Sequence, residues 1–360
     1  MKYFVAIVLM LMLAGNALAA STSAVKYLDK PAEWYRSDEA KKIAANILSY
    51  QSTAGGWPKN VDTAAEPYTG DRGKLEPTYD NKATTDELRF LAHMASATQD
   101  ATYADAFVRG LGYILKGQYP NGGWPQSYPP DHQYHRYITF NDGAMARLMF
   151  FLKEVAHDDL YSFVDKSWRD QCQLAFDRGV DCILKCQIKV DGKLTAWCAQ
   201  HDEKDFSPQP ARAFELMSLS GAESVGVVHV LMSIDNPSPE VIQAVDAAVA
   251  WFDAAKIKGI KVEDRPNPSK TGGKKFDRVV VEDPSAPPIW ARFYEIGTNK
   301  AIFSDRDSVK KYSLAEIGEE RRNGYRWYGY WPADLIATQY PAWKAKHSAA
   351  AHAATQAANH

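Results

Sequence analysis

The sequence predicts an all-α fold in which helical hairpins pack around a common axis as a toroid, with long loops and a few short strands at one end. Three observations support this prediction. Seven segments carry apolar residues at helical spacing, strand signals are few, and one phrase occurs three times. In each copy an apolar stretch ends in Gln, a Gly-rich break or loop follows, and a Trp comes next. The copies span residues 47–58, 114–125 and, more loosely, 183–197.

The repeated phrase also predicts where a functional site lies. The interval between copies is too long for a small solenoid repeat, but it suits a repeat made of one helical hairpin. The same end of each hairpin would then present Gly, Trp and polar residues to one shared opening. We therefore expect any active site at that end.

The helix prediction rests on periodicity and on start signals. Acidic residues mark the first turn of a helix that begins near Thr84, because Asp86 and Glu87 follow. Ser238 is predicted as the N-cap of a later helix, with Pro239 as its first residue. The predicted helices span residues 36–50, 84–98, 103–117, 142–156, 166–187, 211–233 and 238–255.

One strand signal stands out among the loops. Residues 278–282 read Arg-Val-Val-Val-Glu, and we predict that they form one arm of a short hairpin after the Gly272-Gly273 break. Long loops in a compact helical protein usually carry function. Here such stretches, rich in Pro, Gly, Asn and Asp, span residues 57–80, 119–141 and 261–290.

Composition bounds the class of protein. The chain has 360 residues, of which 46% are hydrophobic and 24% charged, so it can bury a large core as a single domain. A net charge of -2 does not suggest a nucleic-acid-binding protein, which would be basic. Most aromatic residues are expected to fill the core. Trp57 and Trp124 follow Gly-Gly in loops, however, where a Trp needs either a ligand or a neighbouring residue to cover it. Sugar rings stack well on such faces, and we predict that both residues bind substrate in this way.

The N-terminal residues predict export. Met1-Lys2 is basic, residues 4–13 form an apolar run too short to span a membrane, and Ala17-Leu18-Ala19 fits a cleavage site. We therefore predict a signal peptide over residues 1–20 and a mature protein in the periplasm or outside the cell. One catalytic domain is expected over residues 21–345, followed by a low-complexity tail over 346–360.

Four cysteines lie close together in the sequence, at positions 172, 182, 186 and 198. An exported protein can form disulfides, but Cys182 and Cys186 are one helical turn apart, which is poor geometry for pairing with each other. A bond from that helix end to Cys198 is one option. A zinc site is disfavoured, because there is no CxxC pair and His201 is a single candidate. No pairing is predicted.

Two acidic residues occur at junctions between a loop and a predicted helix. Asp80 follows Trp57, and Asp142 follows Trp124, at similar intervals, so the repeat is expected to bring both carboxylates to the same end of the toroid. Each could instead be a simple helix N-cap. Two carboxylates facing one cleft repel each other unless a cation or proton lies between them. In an exported protein such oxygen ligands favour Ca²⁺.

Arginines form a third candidate group. Arg212 is predicted in the first turn of a helix, where a cation is electrostatically unfavourable. A structural explanation would be an ion pair with Glu215, three residues later. Arg278 and Arg292 lie among aromatic residues, and guanidinium groups suit bidentate binding of carboxylates. Together these residues indicate a ligand with several carboxylates and sugar-like faces.

With these motifs the chain resembles a polysaccharide lyase of family 10, a family of pectate lyases. The resemblance extends over about residues 30–345 and implies an (α/α)₃ toroid that cleaves polygalacturonate by β-elimination with Ca²⁺. The motifs that carry it are Gly55-Gly-Trp-Pro-Lys-Asn60, Asp80-Asn-x-Ala-Thr84, Asn121-Gly-Gly-Trp-Pro-Gln126, Thr139-Phe-Asn-Asp-Gly143, Trp197-Cys-Ala-Gln-His-Asp202, Pro210-Ala-Arg-Ala-Phe-Glu215 and Pro288-Ile-Trp-Ala-Arg-Phe-Tyr294.

The resemblance also implies roles for individual residues. Arg212 would be the catalytic base, and Asp80 and Asp142 the acidic groups for Ca²⁺ or its complex with substrate. The substrate-binding residues would be Asn81, Arg278 and Arg292, to which we add Trp57, Trp124 and Lys59 from the Gly-Gly-Trp-Pro loops.

An arginine base predicts an alkaline pH optimum, because the pKa of a guanidinium exceeds about 12. A neutral or acidic optimum would instead direct attention to His135 or His201, each of which is otherwise expected to be structural. The protein is expected to be a monomer whose partner is the polygalacturonate polymer, with no nucleic acid and no membrane.

Two other functions fit the same residues. A glycoside hydrolase on a helical toroid would use Asp80 and Asp142 as acid and base, without Ca²⁺ and without an unsaturated product. A non-catalytic binder of acidic oligosaccharides would use the Trp and Arg residues but would not turn over its ligand. A helical toroid by itself does not distinguish among these functions.

Overall fold

The computed structural model describes residues 23–131, 133–268 and 274–347. These residues form two compact units. The first unit contains the residues up to 116 together with 154–170, and the second contains residues 117–153 and those from 171 onward. The predicted signal peptide, the Gly272-Gly273 break and most of the predicted tail lie outside the described residues. The predicted domain boundaries therefore stay predictions.

Long helices dominate both units, as predicted, and most predicted helix bounds agree with the structure to within about two residues. A short helix, α8 (Glu319–Gly324), comes late in the chain. The long helices are α1 (Asp38–Ser49), α2 (Thr85–Thr98), α3 (Ala101–Lys116), α4 (Ala144–His157), α5 (Lys166–Cys186), α6 (Glu223–Met232) and α7 (Pro239–Ala254).

The start signals that the sequence indicated are present. Ser238 caps α7, accepting a hydrogen bond from the backbone N–H of Val241 at 3.4 Å, and Pro239 is the first helical residue. Asp86 and Glu87 lie in the first turn of α2. Both predictions are confirmed.

Helix α6 is the exception, because the predicted helix over residues 211–233 begins only at Glu223. Residues 211–222 form turns and a two-residue strand instead. Arg212 is therefore not in the first turn of a helix, and the argument from its unfavourable position in the helix dipole was wrong. The Ser220-x-x-Glu223 pattern lies just at this start, where the Ser220 hydroxyl accepts the backbone N–H of Glu223 at 3.0 Å.

The glutamine of the repeated phrase connects its own loop to a helix further along the chain. Each Gln side chain donates from Nε2 to a carbonyl of its own loop and to a carbonyl of the second helix after it, which is α3, α5 and α7 for the three copies. This shared arrangement explains why the phrase recurs, since one amide can satisfy two buried backbone acceptors. The loop and helix carbonyls belong to Gly55 and Ala106 for Gln51, to Gly122 and Ala175 for Gln118, and to Thr195 and Ala244 for Gln187.

The tryptophans of the phrase are core residues. Trp57, Trp124 and Trp197 are each 0% exposed. The indole N–H of Trp57 donates to the Ile47 carbonyl, and that of Trp197 donates to the Ile183 carbonyl, both at 2.7 Å. The prediction that Trp57 and Trp124 stack on sugar rings is wrong, because no face of either ring is accessible.

The strands are short and antiparallel. In the longest pair, β7 (Ile260–Pro266) faces β8 (Phe276–Glu282), with Asp264 opposite Arg278, so the predicted hairpin arm is confirmed. The two-residue strands are β1 (Ile138–Thr139), β2 (Lys189–Val190), β3 (Lys193–Leu194), β4 (Gln200–His201), β5 (Pro208–Gln209), β6 (Leu219–Ser220), β9 (Trp290–Ala291), β10 (Phe293–Tyr294) and β11 (Tyr328–Gly329).

Two further features bear on the predictions. Among the described helices, none combines the length and the apolar character needed to span a membrane. The thiols of Cys172, Cys182, Cys186 and Cys198 are all buried.

Candidate functional site

In the first unit, Asp80 lies in a short helical turn before α2 and is largely buried, with 8% of its side chain exposed. Its carboxylate forms an ion pair with Lys59, whose Nζ lies 2.5 Å from Oδ2, and accepts the backbone N–H of Asn81 at 2.9 Å. The structure thus brings together three predicted site residues. Asp80 does not cap α2, because Thr84 holds that position without a side-chain cap.

The backbone around Asn81 is strained. Asn81, Lys82 and Thr84 have φ values of 51°, 69° and 71°, in the left-handed region that residues other than glycine rarely adopt. For β-branched Thr84 this conformation is especially unfavourable. The side chain of Thr84 compensates, since its hydroxyl accepts the N–H of Trp57 at 3.0 Å and donates to the Thr78 carbonyl at 2.9 Å. The same strain is found at functional sites in other proteins.

The two repeats place Asp80 and Asp142 at adjacent positions rather than at the same one. The N–H of Thr78 donates to the Trp57 carbonyl, and in the second copy the N–H of Thr139 donates to the Trp124 carbonyl. These bonds align Asp80 with Asn141 and Asn81 with Asp142; the last two residues have φ values of 51° and 48°. The sequence analysis treated Asp80 and Asp142 as equivalent, and the structure shifts that alignment by one residue. Convergence of Asp80 and Asp142 stays a prediction, because they belong to different units.

A buried acid follows the strained segment. Glu87 in α2 is fully buried, and one of its oxygens accepts the Thr63 hydroxyl at 3.1 Å. Burial, reinforced by the neighbouring Asp86 carboxylate, raises the pKa of Glu87 from 4.5 to about 8. The folded protein therefore holds this proton more tightly than the unfolded chain does.

Glu87→Gln should change how stability depends on pH. The protonated Glu87 carboxyl makes its full contribution to the free energy of unfolding below pH 4.5, and this contribution is lost as the pH rises to about 8. Glutamine does not titrate, so the variant should avoid a loss on the order of 3 kcal/mol between pH 5 and pH 8. Denaturant unfolding at both pH values measures this. Exposed Glu66→Gln is the control, and parallel pH dependence of the Glu87→Gln variant and the wild type would contradict the prediction.

In the second unit, Asp142 is the centre of a charged cluster. Its Oδ1 accepts a hydrogen bond from Nη2 of Arg292 at 2.8 Å, and the same Nη2 also binds the buried Glu223 carboxylate. Burial opposes ionisation of Asp142, but Arg292, Arg212 and Arg147 outweigh it. The pKa of the Asp142 carboxyl therefore lies below its ordinary value, and Asp142 is a stable anion.

Arg292 has hydrogen-bonding capacity to spare although it is buried. Its Nε is buried and has no hydrogen-bond partner among the residues that the structure describes. A buried donor without a partner costs about 1–3 kcal/mol unless a ligand or water satisfies it. Asp142 and Glu223 keep the pKa of Arg292 well above its ordinary value, against the opposing effect of burial. Arg292 is thus a permanent cation beside a partly exposed carboxylate.

Arg212 makes an ion pair with Glu215, which is the structural role considered for Arg212 from the sequence. Arg212 Nε lies 2.8 Å from Oε2 of Glu215, and Nη2 binds Oε1. The side chain of Arg212 is 41% exposed, whereas that of Glu215 is 4% exposed. Burial lowers the pKa of Arg212, but hydrogen bonding and charge attraction from Glu215 outweigh that effect and raise the pKa overall. Arg212 also acts electrostatically on Asp142, so these two predicted site residues belong to one cluster.

Tyr325 lies beside both arginines. The Cζ atoms of Arg292 and Arg212 lie 4.7 Å and 5.7 Å from the centre of its ring. Its hydroxyl donates to Oε1 of Glu215 at 2.8 Å. Tyr325 therefore connects the Arg212–Glu215 pair with the Arg292–Asp142 pair.

Arg278 is held close to this cluster. Its guanidinium makes two bonds to Asp264, at 2.7 Å and 3.0 Å, and its Nη1 donates to the Tyr325 carbonyl at 3.2 Å. Arg326 follows Tyr325 in the chain, and partial desolvation of its guanidinium, together with the positive charges of Arg278 and Arg292, lowers its pKa. The concentration of guanidinium groups favours a polyanionic ligand.

The two histidines considered as alternative bases differ. His201 is fully buried: its Nε2 accepts the N–H of Cys198 at 3.0 Å, and Nδ1 lies 2.8 Å from the Phe206 carbonyl. Burial lowers the pKa of His201 to about 4, so it is a neutral structural residue. His135 is partly exposed, and its Nδ1 lies 2.6 Å from Asp131.

The oxygen atoms beside Asp142 fit part of a Ca²⁺ site. Within the described residues, no three His, Cys, Asp or Glu side chains are arranged to hold a metal ion. Oδ1 of Asn141, however, is buried without a hydrogen-bond partner among those residues, and Oδ2 of Asp142 accepts a bond from Asn141 at 3.1 Å. Ca²⁺ takes about 6–8 oxygens, so most ligands would have to come from substrate and water. A polyanion would also neutralise the nearby arginines.

Several residues of the cluster were missed from the sequence. Glu223 carries a helix-start signal, and Arg147 is a charged residue at the head of an apolar run, so both could have been singled out. The Nη1 of Arg147 donates to the Asp142 carbonyl. No local pattern marks Tyr325 or Arg326, which join the cluster through tertiary packing.

A family model and two solved structures place the chain in the same group of proteins. A model of the family described as pectic acid lyase matches residues 51–336. No curated protein sequence matches the chain. The chain is similar to the structure of a family 10 polysaccharide lyase from Cellvibrio cellulosa, with 34% identity, a TM-score of 0.74, and coverage of 91% of this chain and 98% of the other.

A second solved structure is a mutant of a family 10 polysaccharide lyase from the same organism, in complex with trigalacturonic acid. It is 35% identical, has a TM-score of 0.73, and covers 87% of this chain and 95% of its own. The predicted all-α, (α/α)₃ fold class is thereby confirmed.

Proposed function

Since this chain belongs to the pectic acid lyase family, we propose that it is a pectate lyase that cleaves α-1,4-linked polygalacturonate by Ca²⁺-assisted β-elimination and leaves 4,5-unsaturated oligogalacturonides. The observation that carries this proposal is the cluster in which Arg212, Arg292 and Arg147 all act on Asp142. Such a cluster suits a ligand with a carboxylate on every sugar. A solved relative in complex with trigalacturonic acid supports the same ligand class.

Arg292 is proposed to bind the uronate carboxylate at the cleavage site. Its buried Nε lacks a partner among the described residues, and a carboxylate oxygen would satisfy it. As the C5 proton leaves, negative charge spreads onto that carboxylate, and a fixed guanidinium stabilises the charge where it develops. Arg278 is proposed to bind a uronate carboxylate as well, although Asp264 already neutralises part of its charge.

Arg212 is proposed as the base. In its neutral form it would take the proton from C5; the C–H electrons form the C4–C5 double bond, and the bond from C4 to the glycosidic oxygen breaks. A proton from solvent then neutralises the departing oxygen. Because Glu215 favours the charged form of Arg212, the neutral base is available chiefly at alkaline pH.

Ca²⁺ is proposed to be shared between protein and substrate. Asn141 and Asp142 would supply two of its oxygen ligands. Asp80 also stays a proposed acidic group for Ca²⁺ or its complex with substrate, although it forms an ion pair with Lys59. When bound, the ion would withdraw electron density from the uronate carboxylate and make the C5 proton more acidic. Lys59 and Asn81 are proposed to contact the polymer.

One assay tests the proposed function. Purified protein is incubated with polygalacturonate, with added Ca²⁺ or with chelator, and the ultraviolet absorbance of an unsaturated uronide is followed. We expect absorbance to increase with Ca²⁺ and not with chelator. Saturated fragments would indicate a glycoside hydrolase, and binding without any fragments would indicate a non-catalytic binder.

Asp142→Ala should weaken the response to Ca²⁺. The variant loses one proposed ligand, so the Ca²⁺ concentration for half-maximal activity should rise about tenfold or more, equivalent to about 1.4 kcal/mol of binding. A titration of activity with Ca²⁺ measures this. The control is Asp170→Ala, a surface carboxylate with 57% of its side chain exposed. An unchanged titration would remove Asp142 from the proposed metal site.

We also propose that the protein is exported and acts as a monomer. The basic, apolar and small-residue segments of the first 20 residues support export. Sequencing the N-terminus of the secreted protein would test cleavage after residue 19 or 20, and light scattering would test the monomer.

A further inference from the structure

We propose that Glu215 and Tyr325 together act as a positioning pair, which fixes the guanidinium of Arg212 in one orientation toward the bound sugar. This inference rests on the proposed function. It adds to that function two residues that do not touch the reacting atoms themselves but set the direction in which Arg212 presents its nitrogen atoms.

The first argument is the number of donors on one buried carboxylate. Glu215 accepts from Nε, Nη2 and the backbone N–H of Arg212, the last at 3.2 Å, and from the Tyr325 hydroxyl at 2.8 Å. An ordinary surface ion pair holds its arginine weakly and contributes little. A bidentate pair with a 4% exposed acceptor fixes both the position and the plane of the guanidinium.

The second argument is the packing of that plane. The Cζ of Arg212 lies 4.9 Å from the centre of the Phe214 ring and 5.7 Å from that of Tyr325. The two rings meet edge to face, with centres 5.0 Å apart and an interplanar angle of 73°. Aromatic rings at these distances restrict an arginine that is otherwise 41% exposed.

The third argument concerns which guanidinium atoms are left for a ligand. Glu215 binds the edge of the Arg212 guanidinium formed by Nε and Nη2, so Nη1 is the nitrogen on the opposite edge, within the same plane. Burial raises the pKa of Tyr325 well above its ordinary value, so its hydroxyl stays protonated and keeps donating to Glu215. The pair therefore persists over the pH range in which the enzyme would work.

Glu215→Gln tests the proposal by activity. Glutamine keeps the shape of the side chain but cannot accept both guanidinium bonds, so kcat on polygalacturonate should fall about 30-fold while KM stays within about threefold. Tyr325→Phe removes one bond to Glu215, and kcat should fall about threefold to fivefold. The matched control is Glu320→Gln, which removes an exposed carboxylate paired with Arg306 and Arg321.

The pH profile adds a measurement that a merely structural role would not change. The titratable groups that act most strongly on Arg212 are the carboxylates of Glu215 and Asp142 and the neutral hydroxyl of Tyr325. Loss of the Glu215 charge should make activity level off at a lower pH than in the wild type, because the neutral form of Arg212 is reached sooner. A Glu215→Gln variant with kcat within threefold of the wild type and the same levelling pH would overturn the proposal.

A spectroscopic test does not depend on catalysis. With ¹⁵N-labelled arginine, the side-chain Nε–H signal of Arg212 should be sharp in the wild type, broadened in Glu215→Gln and unchanged in Glu320→Gln. An equally sharp signal in Glu215→Gln would overturn the positioning role. Failure of the proposed function would show differently, as a wild-type protein that forms no unsaturated product at any pH.

Discussion

Arg212→Ala is expected to reduce kcat on polygalacturonate by about 10³-fold while binding of the polymer survives. A general base contributes about 10²–10⁴-fold to a rate, and it does so in the transition state rather than in the bound ground state. In the wild type, activity should rise well above neutral pH, because Glu215 favours the charged form of Arg212. The measurements are a pH–rate profile for the wild type and binding isotherms for the variant.

A matched control separates this effect from loss of positive charge. Arg265 is 60% exposed and makes a long ion pair with Glu263, at 3.6 Å, so Arg265→Ala removes the same charge from the surface of the same unit. We expect its kcat to be within about twofold of the wild type. Equal losses of binding and rate in Arg212→Ala would make Arg212 a substrate-binding residue. A neutral pH optimum would turn attention to His135, since His201 is buried and structural.

Gly122→Ala is expected to produce the largest loss of stability. Gly122 lies in the Gly-Gly-Trp-Pro loop of the second repeat with a φ of 92°, and a Cβ there would collide with the backbone carbonyl of Arg178 in α5. The left-handed conformation costs about 1–2 kcal/mol for alanine, and overpacking against rigid backbone adds about 1–3 kcal/mol. Denaturant unfolding followed by circular dichroism would measure a loss of about 3 kcal/mol or more.

Gly192→Ala isolates the conformational part of that loss. Gly192 has a φ of 76°, and a Cβ there would meet nothing within 4 Å. Both glycines belong to the second unit, so their variants report on the same unfolding reaction. Gly192→Ala should lose only about 1–2 kcal/mol. Similar losses in the two variants would show that the contact with Arg178 does not determine the stability of this loop.

Much of the fold could be predicted because its signals are local. Helical periodicity, the Ser238-Pro239 start and the repeated Gln phrase each depend on residues close together in the chain, and the structure confirms them. Helix α6 was misjudged at its start because apolar residues in turns and a short strand happened to continue the periodic pattern. The Ser220-x-x-Glu223 signal was present but was not used.

The candidate site was predicted less completely. The sequence singled out Arg212, Asp142 and Arg292, and the structure brings all three into one cluster. It could not show that Asp80 aligns with Asn141 rather than with Asp142, because loops of different length separate them from their tryptophans. The sequence analysis also assigned Trp57 and Trp124 to substrate binding. That assignment failed because a Gly-Gly-Trp loop that folds into the core can have the same local sequence as one that faces solvent.

By itself, the sequence determined the helical hairpins, the family and the kinds of charged residue available, since these follow from short-range patterns and from motifs in a fixed order. Only the tertiary structure decided which charges meet. Tyr325 reaches Glu215 across 110 residues, and Arg292 reaches Asp142 across 150. Such contacts depend on how distant elements pack, and the strength of each charge interaction depends on burial, neither of which is encoded in any local stretch of the chain.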